Sequence, residues 1–201
     1  MVIVNKPSAA YYLPATLVAI VSLCVAGLGD NANIAIRYDR DAILENAWWR
    51  LLTGNLAHLS WNHLWMNLAG LLMICILYDR QLTAAKWSIN FVICSLGVGI
   101  CLLLFNPDLH WYVGLSGTLH GLLMTGILIN IIQGQRLDLI LFIALIGKLA
   151  WEQFAGPLPG SAETAGGAVI VDAHLYGAIS GLIMGVIFAS LVGKSSNNSN
   201  S

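Results

Sequence analysis

Residues 111–132 read WYVGLSGTLHGLLMTGILINII, an apolar run that opens on Ser116 and carries His120 one helical turn later. At a rise of 1.5 Å per residue, roughly 20 apolar residues cross the 30 Å hydrocarbon core of a bilayer as a helix. The run from 115 to 133 meets that length, and five others resemble it, at 13–28, 64–78, 88–105, 137–151 and 173–192. The expectation is an all-α, polytopic bundle of six transmembrane helices. A hydroxyl and an imidazole are costly in lipid, so the same stretch also marks a place where chemistry is done.

Composition agrees with lipid as the main solvent. Hydrophobic residues make up 58% of the 201 and charged residues 9%, against roughly 45–50% and 25% in soluble domains. A net charge of −1 without any Lys/Arg-rich run excludes a nucleic-acid partner recognised through a basic field. Cys24, Cys75, Cys94 and Cys101 all fall in apolar runs with no C-x-x-C spacing. They read as small hydrophobes, and neither metal nor cofactor is expected. Lys6, Arg80, Lys86, Arg136 and Lys194, with Asp79 and Asp138, fall on one side of the alternating helices, and most acids, Glu152 among them, on the other, while Lys148 near the outer end of the fifth helix can snorkel. The positive-inside rule then puts both termini in the cytoplasm. The first run is longer than a secretory h-region and is kept as a helix.

Residues 1–193 read as one domain, and the polar stretch 194–201, KSSNNSNS, as a disordered tail. Two outer loops are long, about 35 residues between the first two helices and about 20 between the fifth and sixth. Loops of that length in a compact bundle are usually functional or disordered. The first, with Trp48, Trp49 and Trp61, suits the membrane interface; the second, rich in Gly and Pro, suits a mobile cap.

The second, fourth and sixth helices run in the same direction, so their N-terminal ends share a leaflet. Those ends hold His63 and Asn67, Ser116 and His120, and His174. At 100° per residue His174 lies within about 20° of Gly181, on a stripe with Gly177 and Gly185 that admits a close neighbouring backbone. Gly117 and Gly121 on the fourth helix offer the matching stripe. A serine needs a base to take its proton, and neutral imidazole suits that role near neutral pH. Attack on an amide carbonyl builds an oxyanion, for which His63, Asn67 and the N–H groups at the start of the fourth helix are candidate donors. Asp172, two residues before His174, does not face it on a helix, and no other carboxylate stands out, so the expectation is a Ser–His dyad. Metal binding by His58, His63 and His174 lacks both an H-E-x-x-H pattern and a nearby carboxylate. A transporter would show broken helices or symmetric repeats, which this chain lacks.

WWR in the first outer loop, HLSWNHLWMN leading into the second helix, GLSG opening the fourth and AHLYGAISG on the sixth resemble the rhomboid family of intramembrane serine proteases over nearly the whole chain. The resemblance implies Ser116 as nucleophile, His174 as base, and His63, Asn67 and the Ser116 backbone as oxyanion-hole donors. Gly114, Gly117, His58, Gly177 and Gly181 complete the motifs, and Trp49 and Arg50 are implied as anchors of the first loop. His120 stands where many rhomboids have a tyrosine stacked on the base. That departure, GLSGTLHG, resembles the rhombosortase subgroup. The subgroup implies a bacterial inner-membrane enzyme opening to the periplasm. Its partners are exported proteins whose C-terminal tails carry a Gly-Gly pair, a transmembrane helix and a basic cluster, and it either hydrolyses them or transfers them to an acceptor amine. Two alternatives stay open: a general rhomboid protease for other single-pass proteins, and an inactive rhomboid-like membrane binding protein.

Overall fold

A computed structural model of the chain describes residues 9–78 and 81–197. Its helices are α1 (Ala9–Gly27), α2 (Asp30–Ile36), α3 (Arg40–Leu44), α4 (Arg50–Thr53), α5 (Trp61–Leu77), α6 (Ala84–Phe105), α7 (Ser116–Ile132), α8 (Asp138–Ala155), α9 (Ser161–Ala165) and α10 (Val171–Asn197). Two short strands, β1 (Tyr38–Asp39) and β2 (Trp111–Tyr112), pair antiparallel with Tyr38 opposite Tyr112. The six long helices cover the six expected apolar runs. Among the described residues, three of them (α1, α6 and α10) are long and apolar enough to cross a membrane, and a fourth span arises if Gly54–Leu56, α4 and α5, bent by 96°, are taken together. The other two fall short for separate reasons: α7 has 17 residues, and α8 carries Asp138, Lys148 and Glu152.

The tail differs from expectation at its start. Helix α10 continues to Asn197, because Lys194, Ser195, Ser196 and Asn197 include no glycine or proline to stop it. Residues 198–201 of the expected tail, together with Lys6, Asp79 and Arg80 from the charge asymmetry, lie outside the described residues.

Helices α7 and α10 form the centre, with α6 against both. The reason is steric. A methyl group added to Gly177 would collide with the Gly117 carbonyl, and one added to Gly181 with the Gly121 carbonyl. Reciprocally, a Cβ on Gly117 would lie 2.8 Å from the Ala173 carbonyl oxygen, and one on Gly121 2.7 Å from that of Gly177. Backbone therefore meets backbone along two turns, the approach that small-x-x-x-small stripes permit in lipid. Polar side chains sew the seam: Thr125 Oγ1 lies 2.9 Å from the Gly181 carbonyl and 3.1 Å from Asn90 Oδ1 on α6.

The first outer loop is folded rather than slack. Arg50 donates from Nη1 to the carbonyls of Ile34 and Arg37, each at 2.9 Å, and Arg40 donates to the Leu103 carbonyl at 2.8 Å. Asn55 is fully buried; its amide reaches the Leu52 carbonyl at 3.0 Å, and its oxygen accepts from Thr118 Oγ1 at 2.9 Å. The loop is thus tied to the first turn of α7. Trp48, Trp49 and Trp61 face outward, each at least half exposed, as interfacial tryptophans do.

Replacing Gly181 by leucine is expected to lower the midpoint of thermal unfolding in detergent by more than about 10 °C, since overpacking a seam of this kind costs several kcal/mol. Gly147→Ala on α8, where an added Cβ meets nothing within 4 Å, is the control and should leave the midpoint unchanged or slightly raised. Scanning fluorimetry on both variants checks the pair.

Candidate active site

The site is built where the N-terminal ends of α5, α7 and α10 meet the C-terminal end of α8. Helix α7 cannot extend back past its cap residue Leu115, because Gly114 has a φ of +129°, a region open to glycine alone. Tyr112 fixes that turn by donating from its hydroxyl to the Gly114 carbonyl at 2.7 Å, and Gly114 N–H reaches the Gly54 carbonyl at 3.3 Å. Burial raises the Tyr112 phenol above its ordinary pKa, so it remains a donor. The first N–H groups of α7 have no intrahelical partner and point out of the helix end beside Ser116.

Ser116 Oγ lies 2.9 Å from His174 Nε2. His120 stacks on His174, ring centroids 4.3 Å apart and planes 17° from parallel, with its Nδ1 donating to the Ser116 carbonyl at 2.7 Å. The third histidine near the serine is His63, at the start of α5. Ser60 caps that helix, accepting from His63 N–H at 3.2 Å and donating to the Ala165 carbonyl of the second long loop at 2.8 Å. One side chain thus links both outer loops.

His63 Nδ1 accepts from Leu59 N–H at 3.4 Å, which leaves the ring proton on Nε2. The space that Gly114 keeps free of a Cβ opens on this edge: an added Cβ would lie 3.1 Å from His63 Nε2 and 3.9 Å from Ser116 Oγ. Asn67, one turn along α5, is buried, and its Nδ2 has no hydrogen-bond partner among the described residues. A buried amide left unpaired costs on the order of 1–3 kcal/mol, which a transient anionic partner would offset. His58 packs edge-on against His63, centroids 5.1 Å apart, and hydrogen-bonds the Leu56 carbonyl through Nδ1 at 3.2 Å.

Several expected residues lie elsewhere or act differently. Trp49 is 59% exposed, and its neighbour Arg50 makes the hydrogen bonds that hold the first loop. Gly177 and Gly181 are packing positions on the seam. Asp172 turns to Asn106, away from His174, as helical geometry predicts.

One expectation is overturned. A carboxylate does face His174: Glu152 Oε2 lies 2.9 Å from His174 Nδ1, and Lys148 Nζ lies 2.7 Å from the same oxygen. Glu152 is buried on the last full turn of α8, not in the outer loop where it was grouped with the acids. The signal in the sequence was a Lys and a Glu four residues apart in an otherwise apolar helix, a spacing that pairs them on one face. His120, Glu152 and His174 together offer donor atoms within 4.8 Å of one another. Two nearly parallel stacked rings, however, do not aim their in-plane lone pairs at a common ion.

A cleft of about 470 Å³ lies between the segment Asp108–Val113, which includes β2, and the segment Gly166, Gly167, Ala168 and Ile170, with Leu59 also in its lining.

Residues 45–191 match the family profile described as the Rhomboid domain. The chain is also similar to Rhomboid-like protein 11, chloroplastic, of Arabidopsis thaliana, at 24% identity over 152 residues. That alignment covers 74% of this chain and 54% of the relative, so the chain spans about half the length of the curated protein it matches.

Nitrogen-15 NMR of histidine-labelled protein is expected to find His63 as the Nε2–H tautomer. A proton on Nδ1 instead would remove His63 as a donor toward Ser116.

Proposed function

Since this chain belongs to the rhomboid family, we propose that it is an intramembrane serine protease in which Ser116 is the nucleophile and His174 the general base. The observation that carries the reading is the 2.9 Å contact between Ser116 Oγ and His174 Nε2, made at the end of a helix and within a bundle. In the first step Nε2 takes the hydroxyl proton as Oγ bonds to the substrate carbonyl carbon. The negative charge that develops on the carbonyl oxygen is met by His63 Nε2–H, the Asn67 amide and the free N–H groups at the start of α7. Nε2 then returns the proton to the leaving amine, the C–N bond breaks, and water repeats the sequence on the acyl-enzyme.

The unpaired Asn67 amide and the turn at Gly114 support that assignment, because both leave space and donors where charge would appear. His120 supports the base by stacking, in the place of the tyrosine common in relatives. The cleft beside β2 is sized for a short extended segment, and β1 covers only one edge of β2, leaving the other to pair with substrate backbone.

We further propose the rhombosortase substrate class: exported proteins with a C-terminal Gly-Gly pair, a transmembrane helix and a basic cluster, handled in the bacterial inner membrane from its periplasmic side. In this reading six segments cross the bilayer: α7 is enclosed by its neighbours, α8 turns Asp138 and Glu152 inward and faces lipid with apolar side chains such as Ile140 and Ile143, and both termini are cytoplasmic. A helix hides its carbonyls in hydrogen bonds, and each glycine weakens it by roughly 1 kcal/mol relative to alanine. A Gly-Gly pair just outside the membrane presents an extended, unhindered amide at the level of Ser116.

The test is cleavage of a substrate bearing a Gly-Gly tail beside the same substrate with Val-Val in its place, in liposomes. The expected result is cleavage at least about tenfold faster for Gly-Gly, and none with Ser116→Ala. Equal rates would leave a general rhomboid protease; no cleavage of any transmembrane substrate would leave a rhomboid-like binding protein.

A further inference from the structure

Helix α8 delivers two charged side chains into the bundle, and the reaction described above uses neither. Glu152 is buried, its side chain 3% exposed, and both of its near contacts fall on one oxygen: His174 Nδ1 at 2.9 Å and Lys148 Nζ at 2.7 Å. Lys148 Nζ also lies 3.4 Å from His174 Nδ1. A carboxylate oxygen only accepts, so Nδ1 must carry the ring proton in this arrangement; otherwise two lone pairs would face each other. The Nζ–Nδ1 approach is then donor against donor, and Lys148 belongs to Glu152 rather than to the ring. A charged pair inside an apolar bundle costs several kcal/mol of desolvation, which makes it a candidate for a function.

We propose that Glu152 is the positioning residue of the catalytic base, making the site a Ser116–His174–Glu152 triad, and that Lys148 is the counter-ion that holds the glutamate ionised in lipid. Glu152 locks His174 in the Nδ1–H tautomer, so that the Nε2 lone pair faces Ser116 Oγ. It also faces the imidazolium that forms when the serine proton arrives on Nε2; the Nδ1 proton stays on the ring and the carboxylate is never protonated. Lys148 opposes that imidazolium by repulsion, an effect the glutamate cancels only while it is charged. The proposal rests on the protease reading.

The two charges predict an interaction of changing sign. Glu152→Gln is expected to lower kcat on a Gly-Gly-tailed or other cleavable transmembrane substrate by about 10²-fold or more, with KM within about twofold of wild type. Glu152→Asp should recover part of the loss. Lys148→Met should lower kcat or leave it unchanged in the native background, yet raise it in the Glu152→Gln background, where the lysine cation faces the imidazolium uncompensated. Nitrogen-15 NMR, which needs no turnover, should show His174 as Nδ1–H in the native protein and with a populated Nε2–H form in Glu152→Gln. A Glu152→Gln variant with kcat within about threefold of wild type, or with the His174 tautomer unchanged, would overturn the proposal. Loss confined to KM or to thermal stability would make Glu152 a structural residue and overturn it as well. Failure of the protease reading looks different: native protein and Ser116→Ala would be equally inactive, and the tautomer measurement would still decide the role of Glu152.

Discussion

The backbone contact between α7 and α10 is the constraint on which everything else rests. Gly117 and Gly121 on one helix, and Gly177 and Gly181 on the other, allow carbonyls to sit where any Cβ would be. The two backbones thereby approach more closely than larger side chains would permit, and Ser116 Oγ and His174 Nε2 meet at hydrogen-bond distance. In lipid, where apolar side chains gain little by leaving one apolar medium for another, such close packing and the hydrogen bonds across it supply the association energy. One stripe of small residues therefore sets the stability of the bundle and the geometry of the site.

The loops complete what the seam begins. β1 pairs with β2 a few residues before the serine, Asn55 reaches Thr118 on the first turn of α7, and Ser60 joins the cap of α5 to Ala165. These are hydrogen bonds between buried or half-buried groups, each made because leaving the partner unpaired would cost more than the bond itself contributes. They fix the turn at Gly114, and through it the direction in which α7 sets out. The same accounting marks Asn67, whose buried amide donor, like the Nε2 of His58, has no hydrogen-bond partner among the described residues.

Much of this was legible in the sequence. The six apolar runs became the six long helices, and the two glycine stripes named the contacting faces because a period of 3.6 residues fixes what shares a face. The shared depth of His63, Ser116 and His174 followed from helix direction. Glu152 was not legible in the same way: seen against alternating loops it counted as one acid among several on the outer side, and only the fold of α8 against α10 shows that its carboxylate turns inward to His174. Lys148 shared that fate, as a cation near a helix end is ordinarily free to snorkel. The structure of the first outer loop was hidden for another reason. Its short helices and two-residue strand are held by long-range bonds from Arg50, Arg40 and Asn55, and no local pattern announces those partners.

The central claim is that Ser116 is made nucleophilic by His174. Peptide mapping by mass spectrometry after exposure to a fluorophosphonate tests it without knowledge of any substrate. The account predicts an adduct on Ser116 in the native protein, and none, or one formed at least about a hundredfold more slowly, in His174→Ala. An adduct on another residue, or equal labelling of Ser116 without the histidine, would contradict it.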